Sequence, residues 1–547
     1  MALTVHDTSL PDLLARQIAA QPAATILRKK DRGIWKAVDW AELGRRVHAM
    51  AAALHAAGIG PGDVVGVLSE ISPAFVAADL GILTAGGIAL ALYPSDTGEA
   101  VAHVLATSRC KLLFVEGEEQ LDKVLHIRDV CPDLRRIVIL DMKGLRDFAD
   151  PLCESLAQFL ARAGSFTAPA LDANAIAVLA YTSGTTGQPK PVWLSHRNIM
   201  TQLAAGLTLT GLGPGDERLA FLPMALVTER IFGLYLALAS GTISNLVESV
   251  ETVPENLAEI RPTVLIAPPR VWQRLATGLA TTAEAATTLQ RAAFDWALRS
   301  GSTLARRLVL KPALASIGLD RLRCAWVGGA PVSPALIARF QALGVDLQEF
   351  YGLAESGGVV SFGSVIAGME LRIAEGGEIQ IRGPQIAAEG WLATGDLGHF
   401  TDGRLHFEGR ISERLTLRDG RMVMPTRIEN ELKLSPYISD VLVFGDGQDD
   451  LAGLIMVEQD VLERWAQTRD LPPGNFAALV QSDAVRTLLQ AELDRLSHAL
   501  PHRLRRFAVI NRRLEPGDPE LTPMLRLRRD VVARAHPDLL QALFAPG

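Results

Sequence analysis

Short apolar runs separated by helix-length stretches recur through most of this 547-residue sequence, and no other feature constrains its fold so strongly. VVGVLS (64–69), KLLFVE (111–116), RRIVILD (135–141), AIAVLA (175–180), TVLIAP (263–268) and RCAWVGG (323–329) read as short buried strands. Between them lie segments of helical apolar spacing. WAELGRRVHAMAAALHA (40–56) is stopped by Gly58 and Gly60, and another such pattern begins near Pro73. This repetition predicts an α/β fold with layered, largely parallel sheets in a large N-terminal domain. From 375 to 408 the texture changes. GGEIQIRG and HFTDGRLHFEG alternate around Asp-Gly and Gly turns and predict a small antiparallel unit. After Gly409–Arg410 a basic, helix-rich tail of small-domain length begins.

The length exceeds one ordinary hydrophobic core, so at least two domains are expected. A formal charge of −7 and the lack of a long basic run argue against nucleic acid as a partner. Cys110, Cys131, Cys153 and Cys324 are scattered without metal or CxxC spacing and read as reduced thiols, which points to the cytoplasm. MALTVHDTSLPDLLARQ lacks a basic segment followed by an apolar one, so no targeting signal is expected. The most apolar stretch, Leu80 to Tyr93, is too short to span a bilayer and reads as a buried helix–strand pair.

The segment YTSGTTGQPKPVWLSH (181–196) is a loop rich in glycine and hydroxyls, hung on the strand AIAVLA and carrying Lys190. Backbone amides freed by glycine, helped by Ser and Thr hydroxyls, form a nest for phosphate oxygens, and a lysine adds a point charge. The spacing is not that of a Walker A motif, because only two residues separate Gly184 from Gly187 and Lys190 sits between prolines.

With this loop, the sequence resembles the AMP-forming adenylating enzymes, the family of acyl-CoA synthetases, luciferases and peptide-synthetase adenylation domains. The resemblance covers nearly the whole chain, since further motifs follow in the family's order. FLPMALVTERIFG (221–233) and RPTVLIAPPRVWQRL (261–275) are similar to the long-chain fatty acyl-CoA synthetase branch. VGGAPVSP (327–334), EFYGLAES (349–356) and WLATGDLG (391–398) resemble the adenine loop, the segment around the family's glutamate and the ribose-binding aspartate segment. GRISERLTLRDGRMVMPTRIENELKLSPYI (409–438) resembles the hinge and the start of a mobile α+β C-terminal domain, with Ser412 at the pivot. The resemblance implies domains over 1–409 and 410–547.

It also implies roles. ATP, a fatty acid and CoA would be the small-molecule substrates, with Mg²⁺ beside the phosphates. Thr182, Ser183, Gly184, Thr185, Thr186, Gly187 and Lys190 would cradle the leaving pyrophosphate, and Glu355 would hold the metal. Gly328, Gly329, Ala330 and Gly352 would lie close to the adenine, with Tyr351 stacking on its face. Asp396 would accept both ribose hydroxyls, and Arg410 would approach ribose and phosphate. Leu226 and the Gly420 loop would border the acyl and thiol path. In the closing LTPMLRLRR (521–529), Arg526 stands where the family carries its catalytic lysine. Transient contact with a membrane surface would suit a long-chain substrate, and HALPHRLRRFAVI (498–510) reads as a segment for helix packing or for that contact.

Five features depart from the family's pattern, four single positions and one shortened segment. Besides Arg526, Ala354 lacks a hydroxyl before Glu355, Leu226 replaces a frequent histidine, and Pro191 replaces a loop glycine. GPQIAAEGWLATGD is also shorter than usual. Arginine is a planar fork where the family uses a compact ammonium, so that exchange changes the chemistry available. Two readings stay open: an acyl-CoA synthetase or acyl-adenylate ligase of medium- or long-chain acids, and a catalytically degenerate homologue that binds nucleotide or acyl chains.

Overall fold

In the computed structural model, the described residues are 9–182, 189–285, 287–300, 302–386, 388–469, 475–498, 500, 502–512, 514, 518–522 and 527–545. Two seven-stranded sheets dominate. One runs Cys153–Ser155, Arg136–Ile139, Leu112–Val115, Val64–Leu68, Ile88–Leu92, Ile176–Thr182, Lys190–Ser195. The other runs Leu347–Phe350, Cys324–Gly328, Val264–Ala267, Glu217–Ala220, Ile243–Leu246, Thr25–Asp31, Ile34–Asp39. Each is parallel except for one hairpin strand at its edge, Lys190–Ser195 and Ile34–Asp39 respectively. Pro191 fits because an edge strand can lack one donor.

Alternation along the strands fixes the layers. In the first sheet Val65 and Val67 join the central core, whereas Val64 and Leu68 join the core on the other face. In the second sheet Val264 and Ile266 face inward while Leu265 and Ala267 pack outward beside Trp272 and Phe340. Helices Trp40–Ala56, Pro73–Thr84 and His196–Thr210 supply the central core between the sheets. The expected helix over 40–56 is therefore present, N-capped by Asp39, whose carboxylate accepts from the Glu42 amide at 2.7 Å.

The antiparallel unit expected from 375 begins slightly earlier, as a four-stranded sheet of Glu370–Ile373, Glu378–Arg382, Leu392–Thr401 and Arg404–Arg410. The C-terminal part forms its own three-stranded sheet, Ile438–Phe444, Ala452–Val457 and Arg506–Val509, with a separate core around Leu432, Val441, Ile455 and Leu489. Two expectations need correction here. Within 498–510, residues Arg506–Val509 form a strand and not the expected helix packing: they pair in parallel with Ala452–Val457 and Phe507 is buried. The tail is not basic either, since its arginines are balanced by a similar number of acids. All four cysteines are free. Among the described residues no helix is long and apolar enough to cross a membrane.

ERIFG, so far only a mark of resemblance, has a structural role. It opens a π-helical stretch, Glu229–Tyr235, at the centre of the molecule. Glu229 pairs with Arg218 on the second sheet, while the next residue, Arg230, pairs with Asp79 on helix Pro73–Thr84. Tyr235 donates to the other Asp79 oxygen at 2.6 Å and accepts from Arg230 Nε at 3.0 Å. All five side chains are buried.

Candidate functional site

Asp396 sits on the strand Leu392–Thr401, directly across from Arg410 in the antiparallel register. The turn before it is braced: Thr394 Oγ1 donates to Ile379 O at 2.7 Å and accepts from the Asp396 amide at 3.1 Å. Gly395 donates its amide to Glu378 Oε1 at 3.0 Å. Asp396 is only 3% exposed, and its Oδ2 accepts from the Tyr351 hydroxyl at 2.9 Å. Arg410 Nε lies 2.9 Å from Oδ1, off the hydrogen-bond axis, so that oxygen is charge-paired yet accepts no hydrogen bond among the described residues. Burial raises the Asp396 carboxyl above its usual range, against the opposing pull of Arg410 and Tyr351. Burial likewise pushes the Tyr351 hydroxyl up.

These groups open onto one cleft of about 450 Å³, its mouth included. Gly329, Ala330, Tyr351, Gly352, Asp396 and Arg410, singled out from four separate motifs, all line it. Gly352 is required there by close packing, because a Cβ would lie 2.1 Å from Gly358 O. Gly328 stays outside the lining and has a different reason to be glycine: a Cβ would lie 2.4 Å from Phe350 O, on the neighbouring strand. Sequence reading missed Phe407 and Glu413, which also line the cleft. The Phe407 ring lies 5.4 Å from that of Tyr351. The alternation in RLHFEGR, with Phe407 three residues before Arg410, was the signal that could have found it.

The other expected residues stand apart from this lining. Thr182 and Lys190 face each other as the last and first residues of a hairpin, so 183–189 connect two antiparallel strands. Ser183, Gly184, Thr185, Thr186 and Gly187 lie outside the described residues, and Lys190 is exposed. Glu355 occupies the 3₁₀ turn Ala354–Ser356, near enough to raise the Asp396 carboxyl by its charge. Leu226 packs at the margin of the core around Trp272 and Phe340. Gly420 forms the turn of the hairpin Leu415–Thr416 and Met422–Val423, donating its amide to Leu417 O at 2.9 Å. Arg526 lies outside the described residues, while its flanks Leu521 and Leu527 form an antiparallel bridge.

The C-terminal part reaches the cleft through the helix Pro425–Leu432. Asn430 Nδ2 donates to Pro331 O at 2.5 Å, and Ser333 Oγ donates to Glu431 Oε1 at 3.0 Å. Behind the same loop, the Glu349 carboxylate accepts from the Val332 backbone, and burial pushes it up to about 7. Between its ordinary value and that one, the folded chain holds a proton the unfolded chain has lost. Stability therefore declines as pH rises through that window and levels off above it. Glu349→Gln should remove that decline, gaining about 2–3 kcal/mol relative to wild type between about pH 5 and pH 8. Parallel thermal melts at both pH values check it.

Residues 14–389 match the AMP-binding enzyme family, and residues 412–471 match the AMP-binding enzyme C-terminal domain. Long-chain-fatty-acid–CoA ligase FadD15 of Mycobacterium bovis is 28% identical over 96% of this chain and 95% of its own length. Long-chain-fatty-acid–CoA ligase ACSBG2 of Xenopus laevis is 26% identical over 88% of this chain and 76% of its own. The A domain of carboxylic acid reductase from Segniliparus rugosus, solved in complex with AMP and a co-purified carboxylic acid, superposes with a TM-score of 0.80. It is 19% identical, and the match spans 99% of this chain and 95% of that one, a likeness of fold. A family match over residues 14–389, more than half of the chain, shows that this protein belongs to the AMP-binding, adenylate-forming enzymes, and it is similar to their long-chain fatty-acid–CoA ligases.

Proposed function

We propose that this protein activates a medium- or long-chain fatty acid with ATP, through acyl-AMP, and passes the acyl group to CoA. The observation that carries the reading is the Asp396 carboxylate, which lines the cleft while its buried Oδ1, charge-paired with Arg410, accepts no hydrogen bond among the described residues. A buried carboxylate oxygen in that state calls for a donor, and the paired hydroxyls of a ribose supply one. Gly329, Ala330 and Gly352 would bring backbone within reach of the adenine, with Tyr351 and Phe407 as its apolar walls. Arg410, half exposed at the cleft mouth, would turn from Asp396 toward the ribose and the α-phosphate.

Attack by one anion on another needs charge neutralised at the phosphates. Lys190 and the loop 183–188 would hold the leaving pyrophosphate from the hairpin end. Mg²⁺ is commonly bound through one or two carboxylates together with substrate phosphates. Glu355 is the carboxylate for it, and Mg²⁺ would supply electrostatic stabilisation of the transferring phosphoryl group. The division into 1–409 and a mobile 410–547 is part of this proposal, with rotation after Arg410 opening a path to the thiol past Gly420.

AMP release from ATP with Mg²⁺, CoA and a chain-length series of fatty acids tests the reading. Fatty-acid-dependent AMP is the expected result, and its dependence on CoA distinguishes a thioester former from a ligase that stops at acyl-AMP. Arg526 favours the second reading, a binding homologue with little turnover. Silence in wild type with activity gained in Arg526→Lys would select it.

A further inference from the structure

The outer helices of the second sheet carry a surface that the adenylation reading does not use. Four of the large apolar side chains left exposed among the described residues fall close together: Leu289 at 81%, Trp296 at 54%, Leu304 at 63% and Leu308 at 65%. They are not scattered. On the helix Thr288–Ser300, Leu289 and Trp296 are seven apart and share one face, while Phe294, Ala297 and Leu298 turn to the core beneath. On the following helical stretch, Leu304 and Leu308 are four apart on the outer face, while Ala305 and Leu310 are buried. The two stretches pack on each other, so both outer stripes belong to one surface.

Charge says what that surface fits. Over residues 287–312 the chain carries Arg291, Arg299, Arg306, Arg307 and Lys311 against Asp295 alone, within a chain of net charge −7. Asp295 is itself 3.9 Å from Arg299. Arg291, Arg306 and Arg307 form no ion pair with another described residue. Exposed Leu and Trp interleaved with unneutralised arginines are the composition of a helix that lies in a lipid interface, its apolar side chains in the acyl boundary and its cations among the headgroups. A protein partner would have to bring an acidic rim around an apolar centre, whereas an anionic bilayer presents both without further specification.

We infer that the outer face of the helix Thr288–Ser300 and of the helical stretch 303–316 docks this protein peripherally on an anionic lipid surface. The inference stands on the surface itself and needs no turnover to be tested. Flotation of the full-length chain with phosphatidylcholine vesicles, with and without phosphatidylglycerol, reads it directly. Wild type should float with the anionic vesicles and be released by high salt. Arg306→Glu with Arg307→Glu should weaken binding about 25-fold or more, from the contribution of each cation near such a surface. Leu289→Ser with Trp296→Ser should weaken it about 10-fold or more, and both pairs should melt like wild type because the side chains are exposed. A blue shift of tryptophan emission on binding should disappear in Trp296→Phe. Equal binding by wild type and both double variants, or no binding by wild type to anionic vesicles, overturns the inference. Concentration-dependent self-association lost in the variants, with no vesicle binding, overturns it in favour of a second copy on this face.

Discussion

Asp396→Asn should lower the affinity for AMP about 100-fold or more, with the melting temperature of the unliganded protein nearly unchanged. On the proposed reading the carboxylate would accept both ribose hydroxyls, and hydrogen bonds to a charged group contribute about 1.5–3 kcal/mol each. An amide keeps the shape and loses the charge and one acceptor. Stability should hold because Asp396 is a desolvated carboxylate whose burial already works against its ionised form. Tyr351→Phe is the control: it removes the hydroxyl that donates to Oδ2 at 2.9 Å and leaves the aromatic wall, so its effect should stay within about 10-fold. Calorimetric titration of both variants with AMP decides the matter. Unchanged affinity in Asp396→Asn would remove the ribose assignment and with it the proposed site.

Asp79→Ala should be the most damaging single change away from the cleft. It strands the Arg230 guanidinium at the centre of the molecule and takes the acceptor from Tyr235. Breaking a buried pair from one side costs about 3–5 kcal/mol, because the remaining charge keeps its desolvation penalty and loses its partner. The loss should appear as a lowered melting temperature and poor soluble yield. Asp79→Leu combined with Arg230→Met should recover most of it, since the double change removes both charges together. A wild-type melting temperature in Asp79→Ala would show that the pair is not the clamp its burial suggests.

These two residues also mark where sequence reading reached and where it stopped. Asp396 was legible through resemblance alone, because WLATGDLG stands in the family's order and is similar to its ribose-binding segment. Tyr351, Gly352, Ala330, Gly329 and Arg410 were legible for the same reason, and the fold places all of them on one cleft. Asp79 stands just before the apolar stretch Leu80 to Tyr93, and nothing in the local sequence marks it as the partner of a buried arginine. Its partner lies 151 positions away, and no local pattern announces which buried charge another will meet.

The stretch 498–510 failed as a helix for a related reason. A short run mixing arginine with apolar residues carries no strong period, so the free edge of Ala452–Val457 decided its conformation.

By itself, then, the sequence determined what depends on period and local chemistry: the alternating α/β layers, the antiparallel unit, the helix Trp40–Ala56 with its Asp39 cap, and the motifs that would touch a nucleotide. Tertiary structure alone decided what depends on pairing across long separations. It set the Asp396–Arg410 register, sent Glu229 to Arg218 on the second sheet and Arg230 to Asp79 on the helix Pro73–Thr84, and left Leu289, Trp296, Leu304 and Leu308 without cover. Neighbouring residues constrain a backbone through a few dihedral angles, whereas a buried charge or an uncovered face is defined only by what the rest of the chain brings against it.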